Sequence, residues 1–314
     1  MATLTPPTTK PYAVISAGPG ESPLDIPEAM FVDAYKRYGA LLLRGFSLDF
    51  ERFRGLTDRY CSASVFNESP GREVLDDALN IQTVNIGKEA FPLHPELSRE
   101  PWKPDVAFFW CMNPPSVGGE TTVCDGIEIV KNLPASLRDE FARKRLRYTR
   151  ETSPAVRKYW FGTETPDDAA LNNPPPQCPF QFGRARGMVL QTFTRPALHR
   201  TMFQGELAFG NYLLFGRYLK GSNNFPTFEN GEFVPDELLA PVKDVSDALT
   251  VPIDWAAGDV AVVDNSRFMH GRNRILDVAE RRIATYFGYL KFAIPDPEEG
   301  LDPLWRKPGF RPPI

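Results

Sequence analysis

Two of the three histidines in this sequence lie in patterns that suit a metal site. His94 and Glu96, in FPLHPELSR, are separated by one residue, so on an extended segment both side chains leave the same face. His270 follows the strand-like segment DVAVVDN by a short turn and could bring a second imidazole to the same ion. Two histidines and one carboxylate leave three coordination positions open. That arrangement suits an Fe(II) oxygenase that binds a bidentate co-substrate together with O₂.

The same residues also have a structural interpretation. An HxE pattern is short and arises often by chance, and His270 could be a hydrogen-bonded structural residue. The third histidine, His199 in TRPALHR, is expected to cap or pack, although it is the remaining imidazole that could serve as a ligand. The HxE pattern alone therefore does not establish a metal site.

A second set of residues suits the binding of a dicarboxylate. Arg281 and Arg282 open the segment ERRIATYFGYL, which continues as a strand. An arginine can hold a carboxylate through two parallel hydrogen bonds, which suits the distal end of 2-oxoglutarate. Thr121 follows the glycine pair of PPSVGGETTV and could add a hydroxyl donor. Judged singly, these residues could equally be a surface arginine pair and an ordinary strand threonine.

Composition narrows the possible classes of protein. The chain has 314 residues, of which 42% are hydrophobic and 24% charged, enough for a packed core and against disorder. A net charge of −4 gives no general attraction for nucleic acid. The sequence shows no apolar run of signal-peptide or membrane-span length, so we expect a cytoplasmic protein without a membrane partner. The four cysteines form no CxxC pair and are expected to be free thiols.

The elements that must position these residues are mostly short strands. Segments such as VAFFWC, TTVCDG and DVAVVDN read as strands between glycine or proline turns, and SLDFERFRGLTDRYC and PDELLAPVKDVSDAL read as helices. We therefore predict a mainly β chain with helical decoration, a two-sheet sandwich or jelly roll. A doubly wound α/β fold fits less well because regular strand and helix alternation and a glycine-rich phosphate loop are missing.

We expect a single domain over residues 1–314. An N-terminal segment, 1–37, would precede a core over 38–290, which contains a long irregular section at 150–235. The proline-rich tail, 291–314, would lie over the domain as an arm or reach a neighbouring subunit, so a homo-oligomer is a further possibility.

The middle section is the expected source of substrate specificity. It carries several arginines among aromatic residues, any of which could bind a substrate carboxylate, although most surface arginines are simply solvated. The candidates for substrate contact are Arg184, Arg195 and Asn211.

Taken in order along the chain, these segments resemble the taurine dioxygenase-like (TauD/TfdA) group of Fe(II)/2-oxoglutarate oxygenases. The matching segments are YGALLLRGF, LHPELS, FFWCMNPPSVGGETTVCDG and WAAGDVAVVDNSRFMHGRN followed by RRI, within about residues 38–290. Within the group, the sequence looks most like the branch found in syringomycin-type natural-product pathways. The resemblance implies a double-stranded β-helix (jelly roll), with His94, Glu96 and His270 as Fe(II) ligands and 2-oxoglutarate and O₂ as co-substrates.

The resemblance also implies that Thr121 and Arg282 bind 2-oxoglutarate. Arg282 is preferred over its neighbour Arg281 because it shares strand parity with Ala284 and Tyr286. The family motif, moreover, places its anchoring arginine second in the pair.

The carboxylate ligand separates this chain from parts of the group. Many members carry HxD, whereas HxE, as here, is familiar among amino-acid oxygenases such as the clavaminate synthase-like enzymes. Related halogenases replace the carboxylate with a small residue, so Glu96 argues against halogenation. The resemblance therefore favours a small amino-acid-like or organic-acid substrate that is hydroxylated, desaturated or cyclised in natural-product biosynthesis.

Two other functions remain open at this stage. The chain could be a non-catalytic, cupin-like binding protein, which would form no succinate when supplied with iron and 2-oxoglutarate. It could also act on an aminoacyl substrate tethered to a carrier protein, in which case activity would require the loaded carrier rather than a free amino acid.

Overall fold

The computed structural model describes residues 1–85, 87–277 and 281–313. The described residues are rich in short strands, with a few long ones near the centre. The strands are β1 Thr3–Thr5, β2 Ala13–Ser16, β3 Ala40–Arg44, β4 Cys61–Ser64, β5 Val74–Asp76, β6 Ile81–Thr83, β7 Phe91–His94, β8 Val106–Asn113, β9 Thr121–Asp125, β10 Arg145–Glu151, β11 Gln181–Ala185, β12 Met188–Pro196, β13 His199–Arg200, β14 Leu207–Ala208, β15 Thr227–Phe228, β16 Val251–Pro252, β17 Val260–Asp264, β18 Phe268–Arg272 and β19 Arg282–Leu290.

Helices fill the connections between these strands. The α-helices are α1 Glu28–Tyr38, α2 Phe50–Tyr60, α3 Gly126–Asn132, α4 Ala135–Arg143, α5 Pro154–Phe161, α6 Asp168–Asn172, α7 Leu213–Tyr218 and α8 Asp236–Leu249. None of the helices in the described ranges is long and apolar enough to cross a membrane.

Two sheets form the jelly roll. The larger has nine strands in the order β1-β2-β3-β17-β8-β19-β6-β5, with β4 also paired to β19, and the smaller has the order β16-β9-β18-β7. Side chains from both sheets meet in one buried cluster, to which β8 contributes Phe109, β9 contributes Val123 and β19 contributes Phe287. The predicted mainly β chain with a jelly-roll fold is confirmed.

The opposite face of the large sheet is covered by helices. Because side chains alternate along a strand, β8 directs Phe109 into the space between the sheets and Phe108 and Trp110 away from it. These outward residues pack with Phe31 of α1 and Phe53 of α2. The large sheet is therefore buried on both faces, which explains the almost unbroken apolar sequence of β8.

The N-terminal segment is part of this large sheet. Residues 1–37, which we placed before the core, contain β1 and β2, and β2 pairs in parallel with β3. Helix α1 makes the crossover between those two strands and was not predicted from sequence. It ends at Gly39, whose φ of 73° is the left-handed conformation that glycine supplies at helix ends.

The middle section is more regular than its proline content suggests. A third sheet, in the order β11-β12-β10-β15, occupies much of residues 145–228, together with α5 to α7. Strands β10 and β12 pair along their whole length, from Arg145 opposite Pro196 to Glu151 opposite Leu190. The prolines lie mainly in the turns and helix starts that separate these elements.

The C-terminal tail lies over the domain as an arm. Trp305 is buried, and the Arg306 guanidinium makes two 2.9 Å hydrogen bonds to the carboxylate of Asp105. Asp105 also accepts a hydrogen bond from the backbone N–H of Leu290, so the arm is bound to a buried site beside β19. Phe310 adds a ring contact with Trp102.

Removing Arg306 should destabilise the fold strongly. Arg306→Ala leaves the Asp105 carboxylate, 4% exposed, without its cation, and breaking a buried pair in this way costs about 3 kcal/mol or more. Urea denaturation of wild type and variant measures the difference. Arg311→Ala is the matched control, because Arg311 pairs with Asp77 at the surface and its removal should cost less than about 1 kcal/mol. Equal losses in both variants would contradict this account of the arm.

Candidate metal centre

The two histidines of the predicted site are direct partners across two strands. His94 is the last residue of β7, His270 is the central residue of β18, and the register of the two antiparallel strands places them opposite each other. Their ring centroids are 4.6 Å apart. Cross-strand neighbours of this kind share one face of the sheet, so both imidazoles are presented to the same point.

Glu96 completes the cluster. It follows the end of β7 by two residues and is 4% exposed, and its Oε2 lies 3.7 Å from Nε2 of His270. One potential ligand atom from each of His94, Glu96 and His270 lies within 4.8 Å of the other two. Two imidazole nitrogens and one carboxylate oxygen are a donor set that suits a first-row divalent metal such as Fe(II). The residues therefore fit the ion that the sequence predicts.

The protonation of His94 also suits a metal ligand. Its Nδ1 lies 2.9 Å from the carbonyl oxygen of Pro92, to which Nδ1–H donates, leaving the Nε2 lone pair free for the cluster. Burial, with the neighbouring His270, lowers the pKa of His94 to about 3. The imidazole is thus neutral over the physiological range, which is the form that binds metals.

The Glu96 carboxylate is held by neighbouring polar groups. Asn67 Nδ2 donates to Oε1 at 2.6 Å, and Arg72 Nη2 donates to Oε2 at 3.4 Å. Burial alone would raise the pKa of Glu96, but the positive charge of Arg72, followed by the interaction with the His270 side chain, outweighs it and lowers the pKa to about 2. Glu96 is therefore ionised throughout the neutral range, with one oxygen directed at His270.

Asn265 connects the two halves of the cluster. Its Oδ1 accepts the backbone N–H of Glu96 at 2.7 Å, and its Nδ2 donates to the Glu96 carbonyl at 3.0 Å and to the Pro104 carbonyl at 2.8 Å. Asn265 lies in the turn between β17 and β18, just before His270. This buried side chain thus fixes the carboxylate loop relative to the strand that carries the second histidine.

A cavity of about 110 Å³ extends from the cluster between the two sheets. On one side it is lined by Thr121, at the start of β9, and by Arg281. Arg281 Nε donates to the Gly119 carbonyl at 2.7 Å, and its Nη2 lies 3.5 Å from Thr121 Oγ1. Within the described ranges no carboxylate lies within 4.0 Å of this guanidinium. Burial, with the nearby Arg272, lowers the pKa of Arg281 to about 10, so the group remains charged at neutral pH.

The structure places the two adjacent arginines differently: Arg281 lines the cavity, whereas Arg282, the residue preferred from sequence, does not. Arg282 is exposed, with its Nη2 3.4 Å from Glu73 Oε2, and it does not line the cavity. Its parity partners on β19, Ala284 and Tyr286, face the helix-covered side of the large sheet, whereas Ile283 and Phe287 face the space between the sheets. Arg282 does share strand parity with Ala284 and Tyr286, but this parity belongs to the helix-covered face and not to the face that lines the cavity.

The hydroxyl of Thr121 is oriented by its neighbours. Trp255 Nε1 donates to Thr121 Oγ1 at 3.2 Å, and the Arg281 Nη2–H points at the same oxygen from 3.5 Å. Because both neighbours are donors, the hydroxyl proton of Thr121 is left free to donate to a third group. A threonine donor beside an unpaired guanidinium is well suited to one carboxylate.

Other predicted residues lie elsewhere. His199 lines a separate, larger cavity, and its Nε2 is hydrogen-bonded to the Ser266 carbonyl at 2.6 Å, outside the metal cluster. Arg184 pairs with Asp168 at the surface, and the Asn211 side chain bonds the Ala197 carbonyl and the Leu213 N–H. Arg195 donates to backbone carbonyls and lines the larger cavity. None of the four lines the metal cavity.

Sequence analysis missed several residues around the cavity. Asn67 and Arg72 gave no signal because they are distant from the motifs along the chain. Trp255 and Asn265 lie within the segment WAAGDVAVVDNSRFMHGRN and Arg99 lies within FPLHPELSR, so all three could have been found there. Arg99 lines the cavity three residues after Glu96.

Comparison with known proteins agrees with this geometry. Residues 8–285 match the family model described as taurine catabolism dioxygenase TauD, TfdA family. No curated protein matches the chain. Among solved structures, PvcB from Pseudomonas aeruginosa is 15% identical, with a TM-score of 0.61 and 94% of each chain covered. A taurine dioxygenase from Burkholderia xenovorans is 15% identical, with a TM-score of 0.60 and coverage of 93% of this chain and 91% of that one.

At these identities the structural likenesses show the fold, and the family follows from the model that matches most of the chain. One further neighbour, AAD-2, is 14% identical with a TM-score of 0.58, covers 95% of this chain and 100% of that one, and was solved with Mn(II) and N-oxalylglycine. The chain belongs to the TauD, TfdA family of Fe(II)- and 2-oxoglutarate-dependent dioxygenases.

Proposed function

We propose that His94, Glu96 and His270 hold the Fe(II), that Thr121 and Arg281 bind the distal carboxylate of 2-oxoglutarate, and that the substrate is a small amino-acid-like acid. The observation that supports this most is the cluster of three ligand residues, with ligand atoms within 4.8 Å of one another. The cluster opens onto a cavity whose wall carries the Arg281 guanidinium, which has no carboxylate within 4.0 Å among the residues that the structure describes. The proposal thus assigns the two ends of one co-substrate to two neighbouring sets of residues.

Each residue then has a defined task. Bound Fe(II) would supply the activation of O₂ that is coupled to oxidative decarboxylation of 2-oxoglutarate to succinate and CO₂. Arg281 and Thr121 orient the co-substrate by its distal carboxylate, far from the atoms that react. Asn67 and Arg72 hold Glu96 ionised and directed at the cluster.

Arg99 is our candidate for the substrate carboxylate. It lines the cavity and is only loosely paired, with Nη2 3.8 Å from Glu68 Oε1 and Nε 3.5 Å from Glu100 Oε1. Glu100 is already bound on both oxygens by Arg150. Glu68 Oε2 is buried and has no hydrogen-bond partner in the described part of the chain. A neighbouring guanidinium and carboxylate match the two charges of an amino-acid zwitterion. A place in natural-product biosynthesis fits such a substrate.

Anaerobic titration with Fe(II) and then 2-oxoglutarate tests the metal and co-substrate sites. Wild type should develop the weak visible charge-transfer band of a chelated Fe(II), and His94→Ala and His270→Ala should abolish it. His199→Gln is the matched control and should keep the band, because His199 lies outside the cluster. A folded wild-type protein that shows no band would rule out the oxygenase assignment of these residues and favour a binding protein.

The two adjacent arginines give a sharp test of the co-substrate anchor. Arg281→Met removes a charge-assisted carboxylate contact, so the 2-oxoglutarate concentration that half-saturates the band should rise by about 10- to 100-fold. Arg282→Met removes an exposed side chain and should change it by less than about twofold. The reverse order of effects would return the anchor to Arg282.

Succinate formation tests the substrate class. A panel of free amino acids is screened for stimulation of succinate release by wild type, and the best one is titrated in variants. Arg99→Met should raise the KM for that amino acid by about tenfold or more, with the Fe(II)–2-oxoglutarate band unchanged. Arg184→Met should have no effect, since Arg184 pairs with Asp168 at the surface. If the band forms but no amino acid stimulates turnover, the substrate class is wrong and the carrier-tethered alternative is tested with a loaded carrier.

A further inference from the structure

A second, much larger cavity adjoins the metal site. It has a volume of about 1520 Å³ and lies between the third sheet, the loop before β8 and the C-terminal arm. Ser98 lines both this cavity and the metal cavity, so the two are neighbours at that residue. The catalytic assignment above uses none of the other residues that line this larger cavity.

Lys103 places an ammonium group in the wall of this cavity. Within the described ranges, its Nζ has no carboxylate within 4.0 Å and makes no hydrogen bond, although the side chain is largely buried. Burial, with the positive charge of Arg195 beside it, lowers the pKa of Lys103 to about 7. An ammonium in such a position is stabilised when an anion binds next to it, because an unpaired buried charge is costly.

The backbone around Lys103 is fixed before any ligand binds. The carbonyl of Pro101 accepts from Arg195, that of Trp102 accepts from the Tyr289 hydroxyl, and that of Pro104 accepts from Asn265. The loop thus has hydrogen-bonded anchors on both sides of the lysine, which limits the entropy lost when a ligand is bound.

Arg195 brings a second cation with unused donors. Its Nη2 donates to the carbonyls of Glu100 and Pro101 at 2.9 Å each, which holds the side chain in place. Its Nε and Nη1 donate to no residue in the part of the chain that the structure describes. The guanidinium therefore faces the cavity with hydrogen-bond donors to spare.

The acidic residues that line the same cavity are mostly paired with other cations. Asp105 and Glu299 bind Arg306, Glu298 binds Arg145, and Asp302 binds Lys307. A further lining acid, Glu229, lies 3.7 Å from Arg145. Asp296 has no cation within 4.0 Å in the described ranges. Lys103 interacts most with the charge of Asp264, which does not line the cavity, and next with that of Asp296. Among the acids that line the cavity, Asp296 is thus the main internal competitor for Lys103.

We propose that Lys103 and Arg195 form an anion-binding site that takes the oxyanion of a small molecule, either a carboxylate or a sulfate or phosphate ester. Two cations with free donors, a fixed loop and a cavity with room for a ligand are the basis of this assignment. Because the site adjoins the metal cavity at Ser98, it suits the distal anion of an elongated substrate; this last point rests on the proposed function, whereas anion binding itself does not.

Calorimetric titration of the purified protein with inorganic sulfate, and in parallel with acetate, tests the site. Sulfate stands for the ester anions and acetate for carboxylates, and tighter binding of one identifies the preferred class. Lys103→Met should weaken binding by about tenfold or more, because a charge-assisted contact is lost. Lys243→Met is the matched control and should bind like wild type, since Lys243 pairs with Asp247 on α8, away from the cavity.

Two further variants distinguish a binding role from a structural one. Lys103→Met should unfold at the same urea concentration as wild type or a higher one, because no partner is lost, and Asp296→Asn should tighten anion binding by removing the competitor. Equal sulfate affinity in wild type and Lys103→Met would overturn the proposal. If Lys103→Met does not fold, the other two variants decide. Tighter sulfate binding by Asp296→Asn together with weaker sulfate binding by Arg195→Lys supports the site. Unchanged sulfate affinity in both variants overturns it. Since no iron is added, failure here leaves the oxygenase assignment intact.

Discussion

The arrangement of the whole site depends on the pairing of one short strand. Strand β18 hydrogen-bonds to β7 on one side and to β9 on the other. The first pairing sets His270 opposite His94, and the second sets Arg272 opposite Thr121. A shift by one residue would turn His270 to the other face of the sheet. The two histidines proposed as metal ligands and Thr121 of the proposed co-substrate anchor are thus held in register by the backbone hydrogen bonds of one strand.

Several arginines lie around the two cavities, and their partners separate them into groups. Arg272 donates through Nη1 and Nη2 to the backbone carbonyls of Asn85, Gly87 and Glu89, which ties these residues to β18. Arg72 neutralises Glu96. Arg281 and Arg195, in contrast, contact only carbonyl or hydroxyl oxygens within the described ranges. A partly buried guanidinium without a carboxylate is a costly feature to maintain, and both residues line cavities.

Local pattern was enough to predict the jelly-roll class, the helices α2 and α8, the extended segment that carries His94 and the strand β17 that precedes His270. The HxE spacing and the position of His270 after a strand brought together three residues that the fold does place side by side. These features could be predicted from the sequence because they depend on the alternation of side chains along a strand and on residues that are neighbours along the chain.

The remaining features depend on contacts between distant segments. The face of β19 that lies against the smaller sheet could not be chosen from its sequence, since Ala284 and Phe287 are both fully buried and both faces are apolar. Residues 1–37 were predicted to be a separate segment because helix α1 gave no start signal: Pro27, at its N-terminus, supplies no side-chain cap. Without that helix, the parallel pairing of β2 with β3 could not be inferred. Asn67 and Arg72 reach Glu96 from more than twenty positions away, and no spacing rule connects them.

The C-terminal arm forms part of the larger cavity but no part of the metal site. The proposed metal ligands lie on β7 and β18 and just after the end of β7, whereas one wall of the larger cavity comes from residues 294–306, which contribute no strand. Sequence changes in the arm can therefore alter the shape and charge of that cavity while the register of β7, β9 and β18 is preserved. During evolution, substitutions in the arm could therefore change what the larger cavity binds without disturbing the strands that carry the two histidines. This holds as long as the ion pair between Arg306 and Asp105 is retained.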